Sequence, residues 1–177
     1  MPARPQTVGE WLQWAIRAYA RQKLALGQVA DNAHDEALYL LLRTLELPLE
    51  SPPSVLRRKV PAEAAAKLAE VFRRRIDERV PAAYLTREAF LGGHKFYVDE
   101  RVIIPRSYFV ELLPAIADLI ESRASGRRTI KRVVDVCTGS GCLAVLLAHQ
   151  FPSAKVDAIE LSTDALAVAK FNVAQHE

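Results

Sequence analysis

Cysteine is almost missing from this sequence: two residues in 177, Cys137 and Cys142, both in one stretch. That scarcity excludes a disulfide scaffold, and no His or Cys cluster follows the pair in sequence to mark a metal or redox centre. Both cysteines read as small packing residues in a reducing, cytoplasmic setting. Half of the residues are hydrophobic, yet no run of about 18 consecutive apolar residues occurs, so a membrane-spanning helix is not expected. Met1-Pro2-Ala3-Arg4-Pro5-Gln6 lacks the apolar core of a secretory signal. Repeats and low-complexity segments are missing as well. Charge of one sign is scarce: the formal net charge is +3, compatible with acidic partners or ribonucleoprotein without demanding either. The length suits one large domain or two small ones.

What is present is organised around Val133-Val134-Asp135-Val136-Cys137-Thr138-Gly139-Ser140-Gly141-Cys142, continuing to Ala148. Before Thr138 the residues are β-branched and apolar, as in a strand buried on both faces. After Gly141, Leu143, Leu146 and Leu147 recur at helical spacing. Gly139 can take backbone angles closed to other residues, and Gly141 has no Cβ to obstruct a ligand on the loop. Backbone N–H groups at a helix start then suit a nucleotide-like ligand. Gly139-x-Gly141-x-x-Ala144 fits the dinucleotide fingerprint, a weak match by itself. Asp135 fits pyrophosphate poorly, because its charge opposes the phosphates. It suits the ammonium and sulfonium of S-adenosylmethionine (AdoMet) better. Lys155–Ile159 reads as the next strand, and Glu160 at its end is placed to accept hydrogen bonds from ribose hydroxyls. AdoMet is therefore favoured over NAD.

Thr7-Val8-Gly9-Glu10 has capping-box spacing, and Trp11, Leu12, Ala15, Ile16 and Tyr19 share one face of a helix expected to reach Leu26, with Gly27 as its stop. Trp11 and Trp14 read as core sooner than as a recognition face. Asp31 or Asn32 caps a second helix carrying Leu38, Leu41, Leu42 and Leu45, followed by the turn Ser51-Pro52-Pro53-Ser54. Pro61 opens a third helix through Leu68, Val71, Phe72 and Ile76. Its Arg73-Arg74-Arg75 reads as a solvated face, with contact to RNA or an acidic protein as the alternative. From Pro81 the pattern changes. Phe90 to Val98 predicts a hairpin turning at Gly92-Gly93, with His94 an exposed residue beside the turn. Val102-Ile103-Ile104 predicts a short strand. Tyr108 to Ile120 predicts a helix that Pro114 kinks or restarts, and Ser122–Arg128 a loop.

Pro81-Ala82-Ala83-Tyr84-Leu85, the hairpin, Val102-Ile103-Ile104-Pro105-Arg106 and Asp135-Val136-Cys137-Thr138-Gly139-Ser140-Gly141-Cys142 occur in an order that resembles the HemK-type glutamine N(5)-methyltransferases. The resemblance covers essentially the whole chain. Ser107-Tyr108-Phe109-Val110-Glu111 and the cysteine at 137 are similar to the branch (PrmB-type) that methylates the third protein of the large ribosomal subunit. The release-factor branch usually has Pro-Asp-Thr after Ile-Pro-Arg and glycine where Cys137 stands. Arg87, where relatives often place glycine, is a departure that bears on the local turn. The resemblance implies an α/β protein: a helical substrate-recognition domain over 1–80, a hairpin linker over 81–106, and over 107–177 the start of a Rossmann-like AdoMet-dependent methyltransferase domain. It assigns Cys137, Thr138, Gly139, Ser140 and Gly141 to the cofactor loop, Glu160 to the ribose and Asp135 to the methionine end. Phe90 and Arg106 border the same pocket, and Asn172 is structural. Partners implied are a large-subunit ribosomal protein and, during assembly, ribosomal RNA.

The family's catalytic Asn-Pro-Pro-Tyr occurs nowhere in these residues. The chain thus resembles the N-terminal part of such an enzyme, expected to be inactive alone and prone to self-association through an unpaired strand edge. A release-factor glutamine methyltransferase of the same family, an NAD-dependent oxidoreductase and a non-enzymatic binding module remain open alternatives.

Overall fold

Thr7 ends an extended segment and starts the first helix by capping in both directions. Its hydroxyl accepts from the Glu10 N–H at 3.3 Å, while the Glu10 carboxylate accepts from the N–H groups of Thr7 at 3.3 Å and Gln6 at 2.6 Å. Helix α1 (Val8–Gln22) ends sooner than its apolar pattern predicts, because Lys23 turns left-handed at φ 48°. The Lys23 N–H then donates to Ala20 at 3.3 Å and the Leu24 N–H to Tyr19 at 3.2 Å, which satisfies the last carbonyls. Leu24 and Leu26 pack on the core from outside the helix.

The computed structural model describes residues 5–106, 108–123 and 130–176. Ser107, used above to separate the two branches, and residues 124–128 of the expected loop lie outside them. The chain forms two compact units, Met1–Thr86 and Arg87–Glu177. Among the described residues no helix is long and apolar enough to cross a membrane.

The first unit is all helical: α1, α2 (Ala33–Thr44, capped by Asn32), a 3-10 turn at Pro53–Arg57, α3 (Ala62–Ile76) and the short α4 (Ala82–Thr86). The sequence did not predict α4, because five residues after Pro81 are too few for a periodic signal. Val8, Trp11, Leu12, Ala15, Tyr19, Leu40, Leu41, Leu68 and Phe72 form its core. Trp11 stacks on Phe72 at 6.3 Å, and partly buried Trp14 meets Phe72 edge-on at 5.7 Å. Both tryptophans are packing residues.

The arginine run is not a uniform solvated face. Arg73 is half exposed and lies 2.7 Å from both Glu70 and Glu78, and Arg74 lies 3.6 Å from Glu78. Arg75 points the other way, into the core. Its side chain is 5% exposed and meets Glu36, 1% exposed, through Nε–Oε1 at 2.7 Å and Nη2–Oε2 at 3.2 Å. Nη2 also donates to the Ala25 carbonyl at 2.8 Å. One guanidinium thereby ties α3 to α2 and to the segment after α1. The setting is dry enough that burial first, and the Glu36 charge second, push the nearby Tyr19 hydroxyl far above its ordinary range.

The second unit starts with hairpin strands β1 (Ala89–Leu91) and β2 (His94–Phe96), paired antiparallel. Gly92 and Gly93 both have positive φ, the signature of the two-residue turn whose twist matches the strands. Arg87 also lies left-handed, at φ 56°, so the departure from glycine leaves the turn in the conformation glycine would take. Val102-Ile103-Ile104 is not a strand. Val102 and Ile104 are buried and Ile103 is exposed, but no ladder forms. Helix α5 (Phe109–Arg123) contains Pro114 within it and continues two residues into the expected loop.

Strands β3 (Arg132–Val136) and β4 (Lys155–Ile159) pair in parallel, joined through helix α6 (Cys142–Gln150), and α7 (Thr163–His176) follows. This crossover is what parallel pairing requires. Phe96, Leu113, Cys142, Val145 and Leu146 make the core of this unit. Burial on both faces of β3 is not observed: Val134, Val136 and Ile159 are half exposed or more, because the described sheet holds only these two strands.

The buried ion pair makes a sharp test. Glu36→Ala strands a guanidinium in the core and should cost about 3–5 kcal/mol in urea unfolding. Arg73→Ala, on the solvent side of the same helix, should leave the midpoint nearly unchanged. Equal losses from the two would show that the burial of Arg75 has no energetic consequence.

Candidate functional site: the turn from β3 into α6

The parallel register sets Asp135 beside Ala158 and Val136 beside Ile159. Asp135 and Glu160 therefore stand at the carboxyl ends of neighbouring parallel strands, where open α/β sheets place their ligands. Between β3 and α6 the chain reverses within five residues, and three of them, Cys137, Gly139 and Gly141, have left-handed backbones at φ 62°, 56° and 79°. Such angles cost a residue with a side chain about 1–2 kcal/mol. Cys137 accepts that strain, which a glycine at this place would not carry.

Hydrogen bonds from outside the loop hold it. The Thr138 N–H donates to the Ile159 carbonyl at 3.1 Å, continuing the sheet past β3. The Thr138 hydroxyl donates to Asp135 Oδ2 at 2.5 Å, both groups being buried. The Gly139 N–H donates to Glu160 Oε2 at 2.8 Å. Glu160 Oε1 accepts from the N–H groups of Leu161 at 2.8 Å and Ser162 at 3.0 Å, just before α7. The Ser162 N–H first, then those of Gly139 and Leu161, hold the Glu160 carboxyl below its ordinary range, so it is ionised at neutral pH.

Asn172, 1% exposed, secures the other side. Its Nδ2 donates to the carbonyls of Ser140 at 2.8 Å and Tyr97 at 2.9 Å, and its Oδ1 accepts from the Tyr97 N–H at 2.8 Å. Those bonds fasten the glycine loop to the segment after the hairpin, the structural role expected of it. Tyr97, whose ring meets Phe171 at 5.1 Å, had no sequence signal, since its contribution is a backbone amide.

Gly139 has the left-handed backbone expected of it, whereas Gly141 needs its missing Cβ for a neighbouring helix and not for a ligand. A Cβ on Gly141 would meet Ala169 Cα and Cβ at 3.1 Å, so this glycine lets α7 approach. A Cβ on Gly139 would meet nothing within 4 Å, so it is Gly139 that borders open space. The cysteines part company as well. Cys142 is buried, its thiol pushed up to about 11 chiefly by that burial, and it lies 3.0 Å from the Ser140 hydroxyl. Cys137 is exposed and is no packing residue. Both are free thiols. Phe90 is half exposed on β1, and Arg106 is exposed in the segment before α5. No hydrogen bond, ion pair or ring contact joins either to the loop among the described residues.

Residues 117–177, from α5 through the loop and α7, match the family model "Methyltransferase small domain". A curated "Ribosomal protein uL3 glutamine methyltransferase" of Burkholderia pseudomallei is 51% identical over 172 residues, 97% of this chain and 55% of that protein. The chain is homologous to these methyltransferases. Proteins of the same name from Bordetella pertussis and Neisseria gonorrhoeae are 43% and 42% identical over 97% and 94% of this chain, and 56% and 55% of their own lengths. The chain spans about half the length of these curated relatives. The glycine loop lies within the residues that match the methyltransferase family model, and these relatives are named for methyl transfer, not for an oxidoreductase reaction.

The glycines separate by experiment. Gly141→Ala combines strain with a backbone collision and should destabilise by about 2–4 kcal/mol. Gly139→Ala meets open space and should cost only the conformational term, about 1 kcal/mol. Urea unfolding of the two variants checks this, and a larger loss at Gly139 would contradict the assignment.

Proposed function

We propose that this chain carries the AdoMet loop of an enzyme that methylates the side-chain amide nitrogen of a glutamine in ribosomal protein uL3. The observation that carries the reading is the pair of carboxylates at adjacent strand ends around a left-handed glycine loop, in a chain so similar to proteins named for that reaction. Bound AdoMet supplies an electrophilic methyl group on a sulfonium. In such a transfer the substrate's amide nitrogen would gain the methyl and give up a proton, with a thioether as the leaving group. An amide is a poor nucleophile, so transfer depends on alignment and polar grip more than on a strong base.

The residues of this chain fit the cofactor side of that task. Gly139 leaves room for a ligand against the loop. Asp135, at the end of β3, matches the cationic methionine end, with Thr138 orienting its carboxylate. Cys137, Ser140 and Gly141 complete the loop. A carboxylate offers about four lone-pair positions; N–H groups take three of those on Glu160. One ribose hydroxyl is accommodated directly, and a second requires the Gly139 N–H to yield its place. Phe90 and Arg106 border the pocket in this reading. The parallel β3–α6–β4 unit is the start of a Rossmann-like sheet, and the helical residues 1–80 receive the protein substrate, with 81–106 as linker. Ribosomal RNA is the weaker part of the reading, since Arg73 and Arg75 already face Glu70, Glu78 and Glu36.

The test is transfer of tritiated methyl from AdoMet to unmodified uL3 by the protein at its full natural length. Label is expected in a single glutamine, and Glu160→Ala should raise the KM for AdoMet about tenfold or more. Label in a release factor in place of uL3 would move the protein to the sister branch. An unchanged KM would remove Glu160 from the cofactor site.

A further inference from the structure

His94, expected to stand alone beside a turn, instead meets two others. His94 opens β2, His149 lies in the last turn of α6, and His176 ends α7. These are three of the protein's four histidines. One ring nitrogen of each lies within 4.8 Å of one on each of the other two. His94 stacks on His149 with centroids 4.7 Å apart, and His176 stands edge-on to both at 5.6 and 6.3 Å. We propose that His94, His149 and His176 form a site for a divalent cation of the zinc class, which clamps the hairpin to the ends of α6 and α7.

The donor set selects the ion. Among the described residues the cluster holds three imidazoles and no carboxylate, a set that suits zinc and its neighbours among the transition metals, while magnesium and calcium prefer oxygen. Three histidines plus one water complete a tetrahedron around zinc. Nitrogens sharing one zinc sit about 3.4 Å apart at bond lengths of about 2.0–2.1 Å. The cluster must therefore contract by up to about 1.4 Å. Side-chain rotation supplies that, because His149 is exposed and the other two rings are half-buried.

A second feature prepares the site. His176 Nε2 lies 3.0 Å from the Lys95 carbonyl, which accepts only from an N–H. The proton is thereby assigned to Nε2 and the lone pair to Nδ1, with a backbone carbonyl orienting the ring as is usual for metal-binding histidines. Buried Phe96, 4.7 Å from the same ring, backs it with apolar surface. The three elements joined are those around the glycine loop: α6 begins just after Gly141, α7 carries Asn172, and β2 leads into Tyr97. Bound metal would cross-link them from the side opposite the loop in sequence, at the helix ends. The inference does not rest on the methyltransferase reading.

The experiment uses the protein made without a histidine tag, dialysed against chelator and titrated with zinc chloride by calorimetry. Uptake of one equivalent is expected, together with a rise in Tm. His149→Ala removes an exposed ring, so the fold survives, as circular dichroism would show. It should weaken zinc binding about tenfold or more and abolish the rise in Tm. His94→Ala should do the same. Failure to take up zinc saturably would overturn the site. So would uptake that neither substitution changes, which would mark an adventitious ion only.

Discussion

The second unit depends on how one loop is held. Three left-handed residues within five cannot be kept in place by local preference alone, since each costs conformational freedom or strain. The Glu160 carboxylate and the Asn172 amide supply the restraint from two separate elements. One fixes the Gly139 N–H to the end of β4, and the other fixes the Ser140 carbonyl to α7 and to Tyr97. Gly141 is then pressed against Ala169, which only a residue without a Cβ permits. Strand pairing, the start of α6 and the position of α7 all pass through these contacts.

The restraint has a chemical consequence. The groups that hold the loop are also those we propose to meet the cofactor, so in that reading the site is assembled before any ligand arrives. Such preorganisation lowers the ordering cost of binding. Glu160 illustrates the double duty, being ionised, saturated by backbone donors on three sides and open on the fourth. The helical unit uses charge differently. Its Arg75–Glu36 pair is sealed from solvent and ties three segments together, a structural role with no surface chemistry.

The glycine loop, both strands around it and the capped helices could be read from the sequence, because each rests on local patterns: β-branched runs, capping residues, glycines at a junction. What could not be read depends on partners distant in sequence. Arg75 looks like its neighbours until α2 places Glu36 against it. Lys23 stops α1 through a left-handed turn that no glycine announces. Val102-Ile103-Ile104 has a strand's composition and burial alternation but joins no ladder among the described residues. His94 was taken as solitary because His149 and His176 are brought to it only by the packing of α6 and α7. The packing that demands glycine at 141 is hidden for the same reason: the approach of Ala169 is a tertiary fact.

Amide hydrogen exchange at Gly139, followed by NMR in the cofactor-free protein, tests the central claim that the chain itself builds this loop. The account predicts slow exchange at Gly139, comparable with the paired amides of β3, and rapid exchange in Asn172→Ala, where one anchor is lost. Exchange at Gly139 as fast as in an unstructured peptide would contradict it, and would mean that the loop takes shape only when a ligand binds.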